Sequence, residues 1–326
     1  MTGEVRVHDV ASGSCGGADG AGGTGLSDGT LAAIRAAGLD AGEVARAARA
    51  ALDEDFRYGP DVTSAATVTG RTVTAEVVAR EAGVLAGGPA ALAVLDLIGG
   101  YLGDFSGSST ATVRVADGTR IVAGDAVLRV SGPAPAVLGA ERTVLNFLTH
   151  LSGIATATRA WADAIAGTGA AVRDTRKTTP GLRALEKYAV RCGGGENHRM
   201  GLGDAALVKD NHVAAAGGVG AAVRAVRAAA PDGLVVEVEC DSVAQVREAL
   251  DAGARFLLLD NMSVGSLREA VSVARAYDGV RLEASGGLRL ANAREVALTG
   301  VDYLSVGALT HSSRVLDLGL DFADAG

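Results

Sequence analysis

Only three lysines, Lys177, Lys187 and Lys209, occur among the 30 Lys and Arg residues, and all lie within one short window. A GC-rich coding bias explains why Arg replaces Lys elsewhere; it does not explain the clustering. From Arg173 to Lys209 the cations are Arg173, Arg176, Lys177, Arg183, Lys187, Arg191, Arg199 and Lys209. Four acids oppose these eight, Asp174, Glu186, Glu196 and Asp204, so the window is +4 in a chain of −8. Such a local reversal points to an anionic ligand, with a chance cluster on a solvated face as the plain alternative. Guanidinium grips carboxylate or phosphate bidentately, and ammonium acts as a point charge.

The acids are ordered too. Glu237 and Glu239 in VVEVEC share one side of a strand, and Asp260 ends the following run, FLLLD. Paired carboxylates at neighbouring strand ends suit Mg²⁺; capping or salt-bridged acids are the alternative. The glycine turns ASGGL (284–288) and SVGAL (305–309) would let backbone N–H groups approach a phosphate, and His311 could add a donor. Arg176 and Lys177 stand in DTRKT, His198 and Arg199 in GGGENHRMG, and Lys209 in ALVKDNH. Five such groups would repel one another unless the ligands bring several negative charges. A Schiff-base role for a lysine is a sharper rival reading. Lys187 and Arg191, four apart on a helix, read as solvated.

These groups need elements to hold them. Short apolar strands are predicted at 171–174, 205–209, 235–239, 256–260, 281–284 and 303–306, with amphipathic stretches between the later ones. Polar residues gather at nearly every strand C-terminus, which favours an α/β barrel over an open doubly wound sheet. Six strands are visible, so at least one is poorly marked. Upstream, helical spacing runs from Leu31 to Leu52 with a break near Gly38, and 53–64 reads as a polar connector. Strands at 72–80, 111–115 and 125–130 with a helix at 89–97 form an α+β pattern. A helix is expected over 139–165, broken at Ser152–Gly153. A second is expected over 178–193, capped by Thr179 and stopped by a left-handed Gly193. Residues 1–27 are Gly, Ala and Ser rich and read as a flexible tail.

Composition narrows the class. Apolar residues make up 48% and charged residues 21% of 326, as expected of a globular enzyme. An acidic chain with 3% aromatics is a poor nucleic-acid binder. No apolar run is long enough to span a bilayer, and no signal-peptide core is visible, so a cytoplasmic location is expected. Cys15, Cys192 and Cys240 are too scattered for a disulfide frame or zinc site.

The stretch DTRKTTPGLRALEKYAVRCGGGENHRMGLGDAALVKDNH resembles the quinolinate phosphoribosyltransferase family. So do EDFRYGPDVTS, ERTVLNFLTHLSGIAT, VEVEC, LLLDN, EASGG and SVGALTHS, in that order. The likeness spans about residues 30–320. One departure is the connector Gly59–Pro60–Asp61, where the family commonly has a Gly-Asp turn. The resemblance implies an N-terminal α+β open sandwich (28–140, with 311–326 returning to it) and a seven-stranded α/β barrel (141–310). It implies a homodimer in which Arg142 enters the neighbouring site. Thr175, Arg176, His198, Arg199 and Lys209 match the quinolinate-binding set. Lys177, Glu239 and Asp260 match the catalytic set around phosphoribosyl pyrophosphate and Mg²⁺. Ser285, Gly286, Gly287, Gly307 and His311 match phosphate contacts. The implied reaction is phosphoribosyl transfer to quinolinate with loss of CO₂, giving nicotinate mononucleotide in NAD biosynthesis. The rivals are a phosphoribosyltransferase for a monocarboxylate such as nicotinate, and a barrel lyase using Lys177 or Lys209 as a Schiff base.

Overall fold

The computed structural model describes residues 23–103, 107 and 109–323. The expected tail therefore lies outside the described residues as far as position 22. Residues 23–27 belong to the fold: the Ser27 amide donates to Asp96, and the Ser27 hydroxyl caps the first helix.

The chain begins α1 (Asp28–Ala36), α2 (Ala41–Phe56), α3 (Val62–Thr67), β1 (Thr72–Ala79), β2 (Gly83–Val84) and α4 (Gly88–Leu97). Next come β3 (Thr110–Val113), β4 (Arg120–Ile121), β5 (Ala126–Pro133), α5 (Ala134–Ala164), β6 (Ala171–Arg173), α6 (Arg183–Cys192) and β7 (Ala206–Val208). The remainder is α7 (Asp210–Ala216), α8 (Val219–Ala229), β8 (Val236–Cys240), α9 (Val243–Asp251), β9 (Phe256–Asp260), α10 (Val264–Ala274), β10 (Arg281–Ser285), α11 (Leu290–Ala297), β11 (Tyr303–Ser305), α12 (Ala308–His311) and β12 (Leu318–Phe322).

Two compact units result. The first comprises the described residues within 1–156, 180–193 and 313–326. Its sheet has the order β12-β1-β5-β3, with β1 antiparallel to both β12 and β5. Helices α1, α2 and α4 pack together, with Ile34, Leu52 and Leu92 fully buried. Asp40 and Asp61 start α2 and α3 by accepting backbone amides of their first turns. The expected connector 53–64 is thus helix at both ends, with Gly59 in the left-handed region.

Helix α5 starts five residues before the expected Gly139 and runs unbroken through Ser152–Gly153. The Ser152 hydroxyl pairs with both the amide and the carbonyl of Ala86. A Cβ at position 153 would collide with the Arg314 carbonyl oxygen. Gly153 therefore serves a close chain crossing, not a helix break. Helix α6 is shorter than expected: its N-cap is Leu182, and Gly193 stays right-handed while Gly194 takes φ +86°. Lys187 and Glu186 are fully buried, contrary to the solvated reading of Lys187, and Glu186 meets His150 at 2.9 Å. A helix alone places position 187 beside 191; packing decides which of them faces water.

The second unit comprises residues 157–179 and 194–312. Six parallel strands run in the order β6-β11-β10-β9-β8-β7. Glu196 forms a parallel bridge to Arg173. That bridge uses the amide of Asp174 and the carbonyl of Val172, whereas β11 uses the amide of Ala171 and the carbonyl of Arg173. Glu196 thus occupies the free edge of β6 and supplies the poorly marked seventh strand position. The strands are short and buried, with Val238, Leu257, Leu259 and Leu304 at 0% exposure. Among the described residues, no helix is long and apolar enough to cross a membrane.

Candidate active site

Parallel strands present their C-termini at one end, so the sheet order is also the order of the site. Thr175, Arg176 and Lys177 follow β6. Gly307 and His311 follow β11. Ser285 ends β10, with Gly286 and Gly287 after it, and Asp260 ends β9. Glu239 lies near the end of β8, and Lys209 follows β7.

Register sets which side chains share a face. Ser285 pairs with Asp260, Glu239 with Leu258, and Glu237 with Phe256. With period-two alternation, Glu237, Glu239, Asp260, Glu283 and Ser285 all project from the same face.

On one flank, the Lys177 stem and the His311 ring both crowd Gly307, where an added Cβ would lie 3.1 Å from Lys177 Cδ and 3.2 Å from His311 Nε2. The Thr310 hydroxyl donates to the Lys177 carbonyl at 2.8 Å, and the Lys177 amide donates to Thr175 Oγ1 at 3.0 Å. The next loop is tight for a different reason. Gly286 and Gly287 take φ +81° and +63°, and a Cβ on Gly286 would collide with Asn261 Oδ1. Asn261 is itself the one non-glycine residue with positive φ among the described residues, and its amide donates to the Ser285 carbonyl at 2.9 Å. Asn261 Nδ2 donates to Asp260 Oδ2 at 2.6 Å, tying the glycine loop to the carboxylate.

The centre is acidic. Burial raises the Glu239 carboxyl above its ordinary range; Lys209 opposes that rise, and Asp260, Asp210 and Glu237 add to it. The Lys209 ammonium stands 3.9 Å from Glu239 and is half exposed. Oxygen donors crowded in this way, open to solvent and incompletely neutralised, fit a hard divalent cation.

The other flank is cationic. Burial, then the like charge of Arg176, lowers the Arg199 guanidinium pKa; Glu237 and Asp204 partly restore it. Arg199 Nη1 donates to the Ala205 carbonyl at 2.9 Å. Arg176 Nε is buried without a hydrogen-bond partner among the described residues. The loop carrying Arg199 is fixed by acids. Asp174 accepts from the His198 amide at 2.8 Å and from Asn197 Nδ2, and Asp204 accepts from the Met200 and Gly201 amides. His198 turns inward, with Nδ1 accepting from the Arg199 amide and Nε2 lying 2.8 Å from Glu237.

The residues named from sequence in this unit therefore fall into three groups: Arg176 and His198 with Arg199; Lys209 with Glu239 and Asp260, to which Asn261 ties the Ser285–Gly287 turn; and Thr175 with Lys177, Gly307 and His311. Arg142 is an exposed residue of α5, in the first unit. Asn261, Glu283 and Thr310 are not among the residues expected from sequence, and Asp174 is expected only as a charge opposing the cations. Glu283 carried a usable signal, since it precedes Ser285 by two residues just as Glu237 precedes Glu239. Cys192 and Cys240 are free thiols.

Cations, paired acids and glycine turns along the C-terminal ends of one parallel sheet define an α/β enzyme that handles phosphorylated, highly anionic substrates. Two family models match: quinolinate phosphoribosyl transferase, N-terminal domain, over residues 61–152, and its C-terminal domain over 154–321. The carboxylating nicotinate-nucleotide pyrophosphorylase of Mycobacterium leprae is 56% identical over 276 residues, 84% of this chain and 95% of the relative. The human protein of the same name is 40% identical over 265 residues, 80% of this chain and 86% of its own length. The crystal structure of NadC from Streptococcus pyogenes matches with a TM-score of 0.80 at 39% identity, covering 88% of this chain and 99% of that one. The chain belongs to the quinolinate phosphoribosyltransferase family.

Proposed function

We propose that this enzyme transfers the phosphoribosyl group of phosphoribosyl pyrophosphate to quinolinate, releasing pyrophosphate and CO₂ and forming nicotinate mononucleotide. The carrying observation is the Arg176–Arg199 pair, two half-buried guanidiniums close enough to repel, one with an orphaned Nε. A dicarboxylate relieves that repulsion and fills the unmet donor.

In this reading Thr175, Arg176 and Arg199 grip the pyridine carboxylates, and His198 orders the loop that carries Arg199. Lys209 adds a point charge at the boundary with the acids. Lys177, His311 and the Ser285–Gly287 and Gly307 turns hold the phosphates of the second substrate. Glu239 and Asp260 are the residues that would hold Mg²⁺, which when bound offsets negative charge on the departing pyrophosphate. The same carboxylates favour positive charge growing at the anomeric carbon as the ring nitrogen attacks it. The alkylated nitrogen is cationic and takes up the electrons released as the adjacent carboxylate leaves. No covalent bond to Lys177 or Lys209 is needed. The functional unit in this reading is a cytoplasmic homodimer, with Arg142 of each chain reaching the site of the other.

The test is an Mg²⁺-supplemented assay of nicotinate mononucleotide and CO₂, run with quinolinate and with nicotinate. Turnover of quinolinate with stoichiometric CO₂ is expected. Turnover of nicotinate alone would replace this reading with that of a monocarboxylate enzyme.

A further inference from the structure

Beneath the strand ends lies a buried polar group that the reaction above leaves unused. Glu283 is fully buried; its Oε2 accepts from Arg173 Nη1 at 2.7 Å, and its Oε1 accepts from the Ser305 hydroxyl. The Arg173 guanidinium lies over the Tyr303 ring at 4.0 Å and the Phe256 ring at 5.2 Å. Charge pairing and two aromatic faces therefore fix its place. Glu283 Oε1 also stands 3.4 Å from His198 Nε2, and Glu237 Oε2 stands 2.8 Å from the same nitrogen.

The two nitrogens of the His198 imidazole have different partners. Its Nδ1 accepts the Arg199 amide at 2.8 Å, so that nitrogen carries a lone pair and the ring proton is on Nε2. The Nε2–H then points at two buried carboxylates. A proton on Nδ1 would face the Arg199 amide donor instead, and the loop would have to move. His198, Glu237 and Glu283 lie close enough together to surround a cation. The Arg173 guanidinium already supplies the positive charge at Glu283, so no metal is needed there.

We propose that Glu237 and Glu283, braced by Arg173 and Ser305, are positioning residues that hold His198 in its Nε2–H form and so fix the Arg199 backbone for gripping a substrate carboxylate. The proposal rests on the reading of the site given above. Neither acid needs to touch substrate. Their effect passes through one imidazole to one guanidinium, so it falls on the pyridine carboxylate and spares the phosphoribosyl half.

Two measurements test this. Nitrogen-15 NMR of the histidine-labelled, substrate-free protein reads the tautomer directly, with His198 assigned by His198→Gln. The Nε2–H form is expected; an Nδ1–H form overturns the proposal. Kinetics read the consequence. Glu237→Leu is expected to raise KM for quinolinate about 10-fold or more while KM for phosphoribosyl pyrophosphate moves less than about 3-fold. Glu237→Gln keeps an acceptor oxygen and should recover most of that loss. Equal rises in both KM values, or no recovery with Gln, would show a general structural role and overturn the proposal. If Glu237→Leu does not fold, Glu283→Leu, which removes the other acceptor at His198 Nε2, is read by the same KM split. A failed functional reading shows separately, as a wild-type enzyme that does not turn over quinolinate, because the tautomer is read without substrate.

Discussion

The Lys209 ammonium stands 3.9 Å from the Glu239 carboxylate, across the pairing of β7 with β8. This contact joins the cationic flank of the site to its acidic centre. Half-exposed Lys209 contributes little to stability through such a pair. In the proposed reading its value lies in the potential that it adds beside incoming carboxylates.

Lys209→Ala is therefore expected to lower kcat/KM for quinolinate about 10- to 150-fold, the range for losing one charged hydrogen-bond partner in the transition state. The melting temperature should hardly move. Borohydride with a carbonyl substrate should leave no lysine adduct by mass spectrometry; an adduct at Lys177 or Lys209 would instead indicate Schiff-base chemistry.

The crowding of Glu239 by Asp260, Asp210 and Glu237 predicts metal dependence. Chelation should abolish turnover, and added Mg²⁺ should restore it. Glu239→Gln should raise the half-saturating Mg²⁺ concentration by at least about 10-fold, the lower end of what losing a supporting group costs a metal site. Turnover at full rate in excess chelator would exclude this role for the pair.

Arg142 is exposed on α5 and has no ion-pair partner among the described residues. If it completes the site of a second copy, Arg142→Ala and Arg199→Ala should each be inactive, and the mixture should regain up to about a quarter of wild-type activity through one restored site per heterodimer. Subunit exchange confirmed by native mass spectrometry, without recovered activity, would reject a shared site.

The outer layer of the candidate site is readable from sequence because its residues lie at or just past the C-terminal ends of short strands, as Asp260 ends FLLLD. The layer below is harder. Glu283 sits mid-strand in RLEAS, where an acid has no local mark of what neutralises it; Arg173 and Ser305 come from β6 and β11. Glu196 is a single bridging residue, too short to show any alternation, so one strand position goes unseen. Lys187 and Gly153 mislead for the same reason. Burial of Lys187 and the approach of Arg314 to Gly153 are set by tertiary packing, and neither leaves a trace in helical spacing.

Burial raises the thiols of Cys192 and Cys240 from 9.0 to about 12, with Asp117 adding to the first and Asp241 to the second. Both should react slowly with a disulfide reagent at pH 8 until the protein is unfolded. Between pH 9 and 12 the unfolded chain has lost these protons and the native state keeps them, so stability falls as pH rises through that window. Urea midpoints should decline from pH 9 upward, and Cys192→Ser with Cys240→Ser should flatten the decline. An equally steep decline in the double variant would reject the thiols as its source.

Gly153 offers a test of packing remote from the chemistry. An alanine methyl there would collide with the Arg314 carbonyl oxygen and press within 3.0 Å of Val315 Cα. Those are backbone atoms, which cannot rotate aside as a long side chain does. Leu316, just beyond, donates its amide to the Thr149 carbonyl at 3.0 Å, so the crossing segment is tied to α5. Helix propensity alone favours Gly153→Ala by roughly 1 kcal/mol. Overpacking of this kind costs about 1–3 kcal/mol, so the collision should win. Gly153→Ala is expected to lower the urea midpoint and to loosen the segment around 313–318, seen as faster amide exchange at Leu316. A midpoint above wild type would mean that propensity outweighs the crossing.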